Sequence, residues 1–224
     1  MPNPTIPCWL GESYAQCYED IIIDAALRAF LKKVKRQVNG LSYVEIGANH
    51  PVATSSTLYF QRKYGIRGVL VEANPNLIEN LKKHRPNDTI INAAAYDESV
   101  ESIDFFISPE NEISSLNESF VSRWRGGKTG IEAKISVPIV RINDLLEIVK
   151  TNELIILIID VEGLDLRLLK DINFEKYRPF IIEIEPSDGF VPGTGDAMIE
   201  YLSSKGYELI AETNVNLIFK DNSR

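Results

Sequence analysis

The 224-residue sequence contains no long hydrophobic run and only two cysteines. Its longest apolar run, residues 154–159, is far shorter than the roughly 20 residues that a membrane-spanning helix needs, so no such span is expected. Residues 1–7 lack a basic stretch followed by an apolar core, so no secretory signal is predicted. Cys8 and Cys17 have no partners at metal-site spacing, which favours free thiols in the reducing cytoplasm.

Positive charge is also in deficit. The 24 Lys and Arg residues are outnumbered by 32 Asp and Glu residues, and the net charge of −8 argues against a nucleic-acid partner. The hydrophobic content of 44% is typical of a soluble globular protein. We expect an N-terminal arm and helix, residues 1–40, packed on a single domain of residues 41–224. Trp9 would pack there as a terminal aromatic or anchor the arm on a partner.

A short apolar stretch, residues 41–46, runs into Gly47 and is followed by a helical pattern over residues 55–64. This order is typical of the first strand of an α/β sheet and a ligand-binding loop. Gly47 lacks a Cβ atom, which would let a ligand approach the backbone closely. The hydroxyls of Ser55 and Ser56 suit a helix N-cap, and the first N–H groups of that helix would then face the ligand.

Glu72 ends a second apolar run, 25 positions after Gly47. An acid at this point is placed to accept hydrogen bonds from both hydroxyls of a cofactor ribose. The loop has one glycine where a dinucleotide-binding pattern has three, which disfavours NAD. S-adenosylmethionine has a ribose but no phosphate, and its positive groups would be favoured by Glu45. An NAD-dependent oxidoreductase is the alternative reading of this loop.

A third predicted strand, residues 89–92, is followed by small residues. Ala94 and Ala95 would let an adenine ring lie against the backbone. Asp97 could accept a hydrogen bond from the adenine amino group.

Further along the chain, residues 101–108 and residues 135–140 are predicted to pair as strands. The polar segment between them, residues 111–130, is interpreted either as a lid or substrate loop or as a mobile insertion. Residues 207–212 and 216–220 are expected to form a final antiparallel pair around a tight turn.

Acids close several of the predicted strands, and open α/β sheets bind ligands at that edge. These acids are Glu45, Glu72, Asp160, Glu183 and Glu185. If S-adenosylmethionine donates its methyl group to a hydroxyl, that hydroxyl must lose its proton to a nearby base. Asp160 and Glu162 are the first candidates for this base. His50 is the alternative base, or else a loop residue that hydrogen-bonds its own turn. A metal site on these acids is disfavoured because no His or Cys supports it.

Several stretches in order resemble the FkbM-type methyltransferase family. They are residues 44–51 (VEIGANHP), residues 68–75 (GVLVEANP), residues 159–165 (IDVEGLD) and residues 178–185 (RPFIIEIE). Residues 13–20 also resemble a segment found ahead of the core in some members. The sequence departs from the family at Glu45, where Asp is common, and at Ile159, where Lys is common.

The resemblance implies a Rossmann-like class I methyltransferase sheet. It would have seven mostly parallel core strands, an antiparallel C-terminal strand and helices on both faces. It implies O-methylation of a sugar, glycan or natural-product hydroxyl, with a non-catalytic binding module as a further alternative. The expected S-adenosylmethionine site comprises Glu45, Gly47, Ala48, Asn49, Glu72, Ala73, Asn74, Ala94, Ala95 and Asp97.

Overall fold

The computed structural model of the protein describes residues 12–149 and 154–224. The expected arm, with Cys8 and Trp9, lies outside the described residues. The helices are α1 (Glu19–Val34), α2 (Leu58–Tyr64), α3 (Ile78–His84), α4 (Glu118–Arg123), α5 (Ile142–Ile148), α6 (Asp165–Asp171) and α7 (Thr194–Ser204). The strands are β1 (Ser42–Ile46), β2 (Arg67–Glu72), β3 (Thr89–Asn92), β4 (Ala94–Tyr96), β5 (Ser102–Ile107), β6 (Ala133–Arg141), β7 (Leu154–Ile159), β8 (Ile181–Ile184), β9 (Tyr207–Glu212) and β10 (Leu217–Asp221).

Seven strands form one sheet in the order β3-β2-β1-β7-β8-β10-β9. Strands β3, β2, β1, β7 and β8 run parallel, whereas β10 is antiparallel to both of its neighbours. The chain winds outward from β1 to β3 and then returns to place β7 on the other side of β1. The predicted Rossmann-like class I methyltransferase sheet is therefore confirmed, with the expected antiparallel final pair.

A second, three-stranded sheet has the order β4-β6-β5. The antiparallel pairing of β5 with β6 agrees with the sequence prediction. Strand β4 was not predicted as a strand, because three residues, Ala94–Tyr96, are too few to show a pattern. It pairs in parallel with the end of β6, with Ala94 opposite Ile139.

Both faces of the large sheet are covered by helices. Strand β7 explains why, since Leu157 and Ile159 lie in one hydrophobic core and Ile156 and Ile158 in the other. Helices α5, α6 and α7 supply the first core, and helices α1, α2 and α3 supply the second. A strand with both faces buried needs the uniformly apolar sequence that residues 154–159 have.

Two helices differ from their predicted bounds. The apolar spacing of residues 18–38, followed by Gly40, predicts a helix over that whole range, but α1 ends at Val34 because Lys35 takes a left-handed conformation (φ 52°). Helix α2 begins at Leu58 rather than at Ser55. The expected capping role of the hydroxyls before it is wrong, because those hydroxyls bind charged side chains instead, as described below. No helix within the described residues has both the length and the apolar character needed to cross a membrane.

Candidate functional site

A cavity of about 570 Å³ lies at the carboxyl ends of β1, β2, β7 and β8, where the strand order reverses. Its volume falls within the roughly 300–1,000 Å³ that is common for small-molecule sites. Residues of the first loop (Gly47 to Asn49) form one side, and residues 110–116 with Trp124 form another. The cavity therefore joins the sheet edge to the segment that follows β5.

The described residues that line this cavity include many acids and no Lys, Arg or His. The acids are Glu45, Glu72, Glu110, Glu112, Asp160, Glu162, Glu183, Glu185, Asp188 and Glu212. Such a lining gives the cavity a negative potential, which favours cationic ligands and disfavours phosphates.

The loop after β1 is held between the neighbouring strands. The N–H groups of Gly47 and Ala48 both donate to the Val71 carbonyl, at 2.9 and 3.0 Å. Gly47 has a φ of 87°, and a Cβ atom there would lie 1.7 Å from the Asp160 carbonyl oxygen. The structure thus gives a reason within the protein for this glycine, because the backbone after β7 occupies that space; the expectation that it also makes room for a ligand stays a prediction.

Glu72 is buried at the end of β2, and both of its oxygens accept backbone hydrogen bonds. The Asn49 N–H donates to Oε2 over 2.8 Å, and the Asn74 N–H donates to Oε1 over 2.6 Å. Burial raises the pKa of Glu72, while these two N–H groups oppose that rise. Each oxygen keeps a further lone pair for a ligand donor. The carboxyl is thus fixed in orientation at the edge of the cavity.

Glu45 belongs to a buried network that the sequence analysis missed. Its carboxylate accepts a short hydrogen bond from the Thr57 hydroxyl, which in turn accepts from Arg85 over 2.8 Å. Arg85 is fully buried and also donates to the Ser55 hydroxyl. Burial raises the pKa of Glu45, and the Arg85 charge opposes that rise. Arg85 follows a Lys-rich stretch of helix α3, so no local signal marks it as buried.

Three further acids converge beyond the ends of β7 and β8. Ligand oxygens of Asp160, Glu162 and Glu185 lie within 4.8 Å of one another, a spacing that could hold a shared proton or one divalent cation. Burial and the neighbouring acids raise the pKa values of Asp160 and Glu162 well above their ordinary values. Burial likewise raises the pKa of Glu185 to about 7. Carboxyls this close together titrate as a coupled group rather than independently.

The turn after β7 fixes two members of this cluster. Asp165 is buried and accepts hydrogen bonds from the Val161 and Gly163 N–H groups, at 2.8 and 3.1 Å. Glu162 takes a left-handed conformation (φ 56°), and its carbonyl accepts from the Ser115 hydroxyl over 2.7 Å. The segment that follows β5 is thereby tied directly to the acidic cluster.

That segment contains helix α4 and short helical turns rather than an irregular loop. Phe120 and Val121 pack in a small cluster with Phe106 and Ile113. Trp124 packs against Phe120 and lines the cavity, and its indole N–H is buried without a partner among the described residues. Residues 110–124 therefore supply a wall of the cavity that carries an unused hydrogen-bond donor.

Most of the predicted site residues come together in this cavity. Those that line it are Glu45, Gly47, Ala48, Asn49, Glu72, Ala73, Ala94, Ala95, Asp160 and Glu162. Gln16 also lines the cavity, although the sequence analysis did not single it out. The segment that carries it is ordered by the Asp20 carboxylate, which accepts hydrogen bonds from the Tyr14 and Ala15 N–H groups.

Three predicted residues are not among the lining residues. His50 is exposed, and its Nδ1 accepts from the N–H groups of Val52 and Ala53 in its own turn. Asp97 is held by Arg167 in an ion pair of 2.7 Å.

Asn74 is the third of these residues and is buried beside the cavity. Its Oδ1 accepts from the Asn76 N–H, and its Nδ2 donates to Asn111. It shapes the turn after β2 rather than the cavity surface.

Comparison with solved structures finds several methyltransferases of low sequence identity. One is a precorrin-6y C5,15-methyltransferase from Geobacter metallireducens GS-15, with 12% identity and a TM-score of 0.41, covering 87% of each chain. Another is a TehB-like SAM-dependent methyltransferase from Corynebacterium glutamicum ATCC 13032 Kitasato, with 12% identity and a TM-score of 0.36, covering 90% of this chain and 98% of that one. A third is a methyltransferase from Pyrococcus furiosus, with 12% identity and a TM-score of 0.37, covering 88% of this chain and 81% of that one.

No curated protein sequence matches the chain. A family model described as the methyltransferase FkbM domain matches residues 45–209. The match includes the end of β1, the loop after it, Glu72 and the acidic cluster. Since it extends over most of the sequence, the chain belongs to the FkbM methyltransferase family.

Proposed function

We propose that the protein transfers a methyl group from S-adenosylmethionine to a hydroxyl of a sugar, a glycan or a small natural product. The observation that carries this proposal is the position of the Asp160, Glu162 and Glu185 cluster. It lies in the same cavity as Glu72, so a nucleoside held by Glu72 would have candidate bases within the same space. We take residues 41–224 as the catalytic domain, with residues 1–40 as its N-terminal addition.

The half of the cavity near β1 and β2 would hold the cofactor. Glu72 would accept from the two ribose hydroxyls, and the Asn49 N–H keeps that carboxyl in place. The buried Ala94 and Ala95 offer a flat surface of small residues to an adenine ring. Gly47, Ala48 and Ala73 complete this side of the cavity. When bound, S-adenosylmethionine supplies an electrophilic methyl group.

The acidic cluster would serve the acceptor. A hydroxyl acceptor must lose its proton as the new bond forms, and a base with a pKa near the operating pH suits that task. Asp160 and Glu185 lie together in this cluster and the pKa values of both are raised, so one carboxyl would hold a proton while the other accepts one from the acceptor. Glu162 borders the same space, and His50 is exposed in its turn, which favours the carboxyls over the imidazole as the base.

The charge of the cavity bears on the class of acceptor. Acids without a cation among the described lining residues would repel phosphate groups, which supports a neutral polyol or natural product over a nucleic acid.

We place the reaction in the cytoplasm, where Cys17, a free thiol in the structure, would stay reduced.

Calorimetric titration of the purified protein with S-adenosylmethionine, S-adenosylhomocysteine and NAD tests the cofactor. We expect both adenosyl ligands to bind and NAD not to bind. Glu72→Ala should abolish that binding, whereas Glu79→Ala, at an exposed site on α3, should leave it unchanged. Binding of NAD alone would support an oxidoreductase, and binding of no ligand would support a non-catalytic module.

A radiolabelled methyl donor offered with a panel of sugars, glycans and hydroxylated natural products then tests the acceptor. Label in an alkali-stable ether product is expected for O-methylation. Label only on amines, or only on carboxylates as alkali-labile esters, would contradict methylation of a hydroxyl.

A further inference from the structure

Glu183 lies beneath the cavity on the same face of the sheet as Glu45. The register pairs Glu45 of β1 with Ile158 of β7, and Ile158 with Glu183 of β8. Directly paired residues of neighbouring strands project to the same side, so the two acids stand two strands apart, at about 10 Å. Glu183 is 3% exposed and lines the cavity.

Among the described residues, hydrogen-bond partners are present for one of the two Glu183 oxygens and absent for the other. Oε1 accepts from the Ser56 hydroxyl over 2.8 Å and from the Asn216 amide over 3.3 Å. Oε2 is buried and has no hydrogen-bond partner among the described residues. Buried polar atoms in native proteins are nearly always hydrogen-bonded. The Glu183 side chain lines the cavity and is held in place through Oε1. Its free Oε2 therefore indicates that a bound ligand donates a hydrogen bond to it.

The charges around Glu183 and Glu45 differ. Glu45 is reached through Thr57 by Arg85, whose buried positive charge compensates it. Glu183 has acids as its charged neighbours, namely Glu19, Glu45 and Asp160. No Lys or Arg is present among the described lining residues to compensate them. A buried acid in this setting requires a cation from outside the chain or must hold a proton.

We propose that Glu183 binds the α-ammonium group of the methionyl part of the cofactor, whereas Glu45 stays paired with Arg85 and organises the first loop. This assignment rests on the proposed function, because it presupposes an S-adenosyl ligand. It differs from the expectation that Glu45 serves the positive groups of the cofactor. An ammonium group has three N–H donors, one of which would satisfy the free Oε2.

The protonation state of Glu183 supplies an independent readout. Burial is the main reason that the pKa of Glu183 lies well above its ordinary value. A cation bound beside the carboxyl favours the ionised form and lowers that pKa. Ligand binding should therefore move Glu183 towards its ionised form, and any net proton release should be smaller in a variant that lacks this carboxyl.

The test compares three ligands on the wild-type protein and Glu183→Gln. S-adenosylmethionine and S-adenosylhomocysteine both carry the ammonium group, and 5′-methylthioadenosine lacks the whole amino-acid part. We expect Glu183→Gln to weaken the first two by the same factor, about 10- to 100-fold. Affinity for 5′-methylthioadenosine should change less than about twofold. Calorimetry in buffers of different ionisation enthalpy should show less net proton release for Glu183→Gln than for the wild-type protein.

Two further variants sharpen the comparison. Ser56→Ala removes one donor to Oε1 without changing the Glu183 charge, so it should weaken S-adenosylhomocysteine by a smaller factor and spare 5′-methylthioadenosine. Glu45→Gln should change the affinities of these two ligands by the same factor, because it disturbs the loop rather than the ammonium contact. If Glu183→Gln fails to fold, the Ser56→Ala comparison still decides the proposal.

Four outcomes would overturn the assignment. A loss confined to S-adenosylmethionine would place Glu183 beside the sulfonium, and no loss for either S-adenosyl ligand would place it on the acceptor side. An equal loss for 5′-methylthioadenosine would show a general effect on the cavity. A ligand preference that changes in Glu45→Gln would return the ammonium contact to Glu45. By contrast, a wild-type protein that binds no S-adenosyl ligand would refute the proposed function itself.

Discussion

Arg85 donates its Nε–H to the Asp88 carboxylate over 2.8 Å, and both side chains are fully buried. The same guanidinium reaches the Tyr43 and Thr57 hydroxyls and, through Thr57, the cavity acid Glu45. One cation at the end of helix α3 thus supports residues from three parts of the chain.

Replacing this cation should destabilise the protein strongly. Arg85→Met leaves Asp88 and Glu45 buried without their positive partner, so we expect the free energy of unfolding to fall by about 3–5 kcal/mol. Lys82→Met, in the same helix, removes an exposed pair with Glu79 and should cost less than about 1 kcal/mol. Urea unfolding followed by circular dichroism measures both. Equal, small losses would mean that the buried network contributes little.

Gly47→Ala should damage both folding and ligand binding. The new Cβ atom would overlap the Asp160 carbonyl oxygen, and the residue would be strained at a φ of 87°. We expect a loss of about 2–5 kcal/mol and weaker binding of S-adenosylhomocysteine, because the Asp160 backbone must move. Gly40→Ala is the matched control, since Gly40 also has a positive φ but open space around it. It should cost about 1–2 kcal/mol and leave ligand affinity intact.

Asn49 should act through its backbone. Its φ of 37° is tolerated by Gly and Asn but strained for a β-branched residue. Asn49→Gly keeps the N–H donor to Glu72, so binding of S-adenosylhomocysteine should change by less than about threefold. Asn49→Val should lower stability by about 1–2 kcal/mol and weaken binding, because relief of the strain moves that donor. A large loss in Asn49→Gly would instead assign a direct ligand contact to the amide side chain.

Stability should fall as the pH rises from about 5 to about 8. Burial raises the pKa of Glu185 from an ordinary value of 4.5 to about 7, so between these values the folded state binds more protons than the unfolded state. The stabilisation is complete below the lower value and is lost as the pH passes the higher one. Denaturant unfolding at pH 5 and pH 8 measures this slope. Glu185→Gln should flatten it, and a wild-type stability that rises over this range would refute the assignment.

The sheet was readable from the sequence because its strands carry strong patterns. Residues 154–159 are uniformly apolar since both faces of β7 are covered. The acids at strand ends were likewise visible, because parallel strands bring their carboxyl ends to one edge. These two signals indicated an α/β sheet with a site at that edge, whereas the class I methyltransferase form of the sheet was expected from the resemblance to the FkbM family.

Side-chain partners were less readable, since they depend on contacts between distant parts of the chain. The hydroxyls before α2 resemble caps locally, yet Ser56 and Thr57 bind Glu183 and Glu45. Asp97 resembles a free loop acid until Arg167, 70 positions later, is placed beside it. Such pairings follow from the folded topology rather than from a local pattern.

A second wall of the cavity comes from one continuous insertion, residues 110–124, between strands β5 and β6 of the small sheet. The cofactor side proposed here is built from β1, β2, the turns after them and Ala94 and Ala95 of β4, which this insertion does not interrupt. Evolution could therefore exchange the insertion as a cassette and alter acceptor choice while the donor side stays the same. A chimaera that carries the corresponding stretch of another family member would be a direct route to new acceptor specificity.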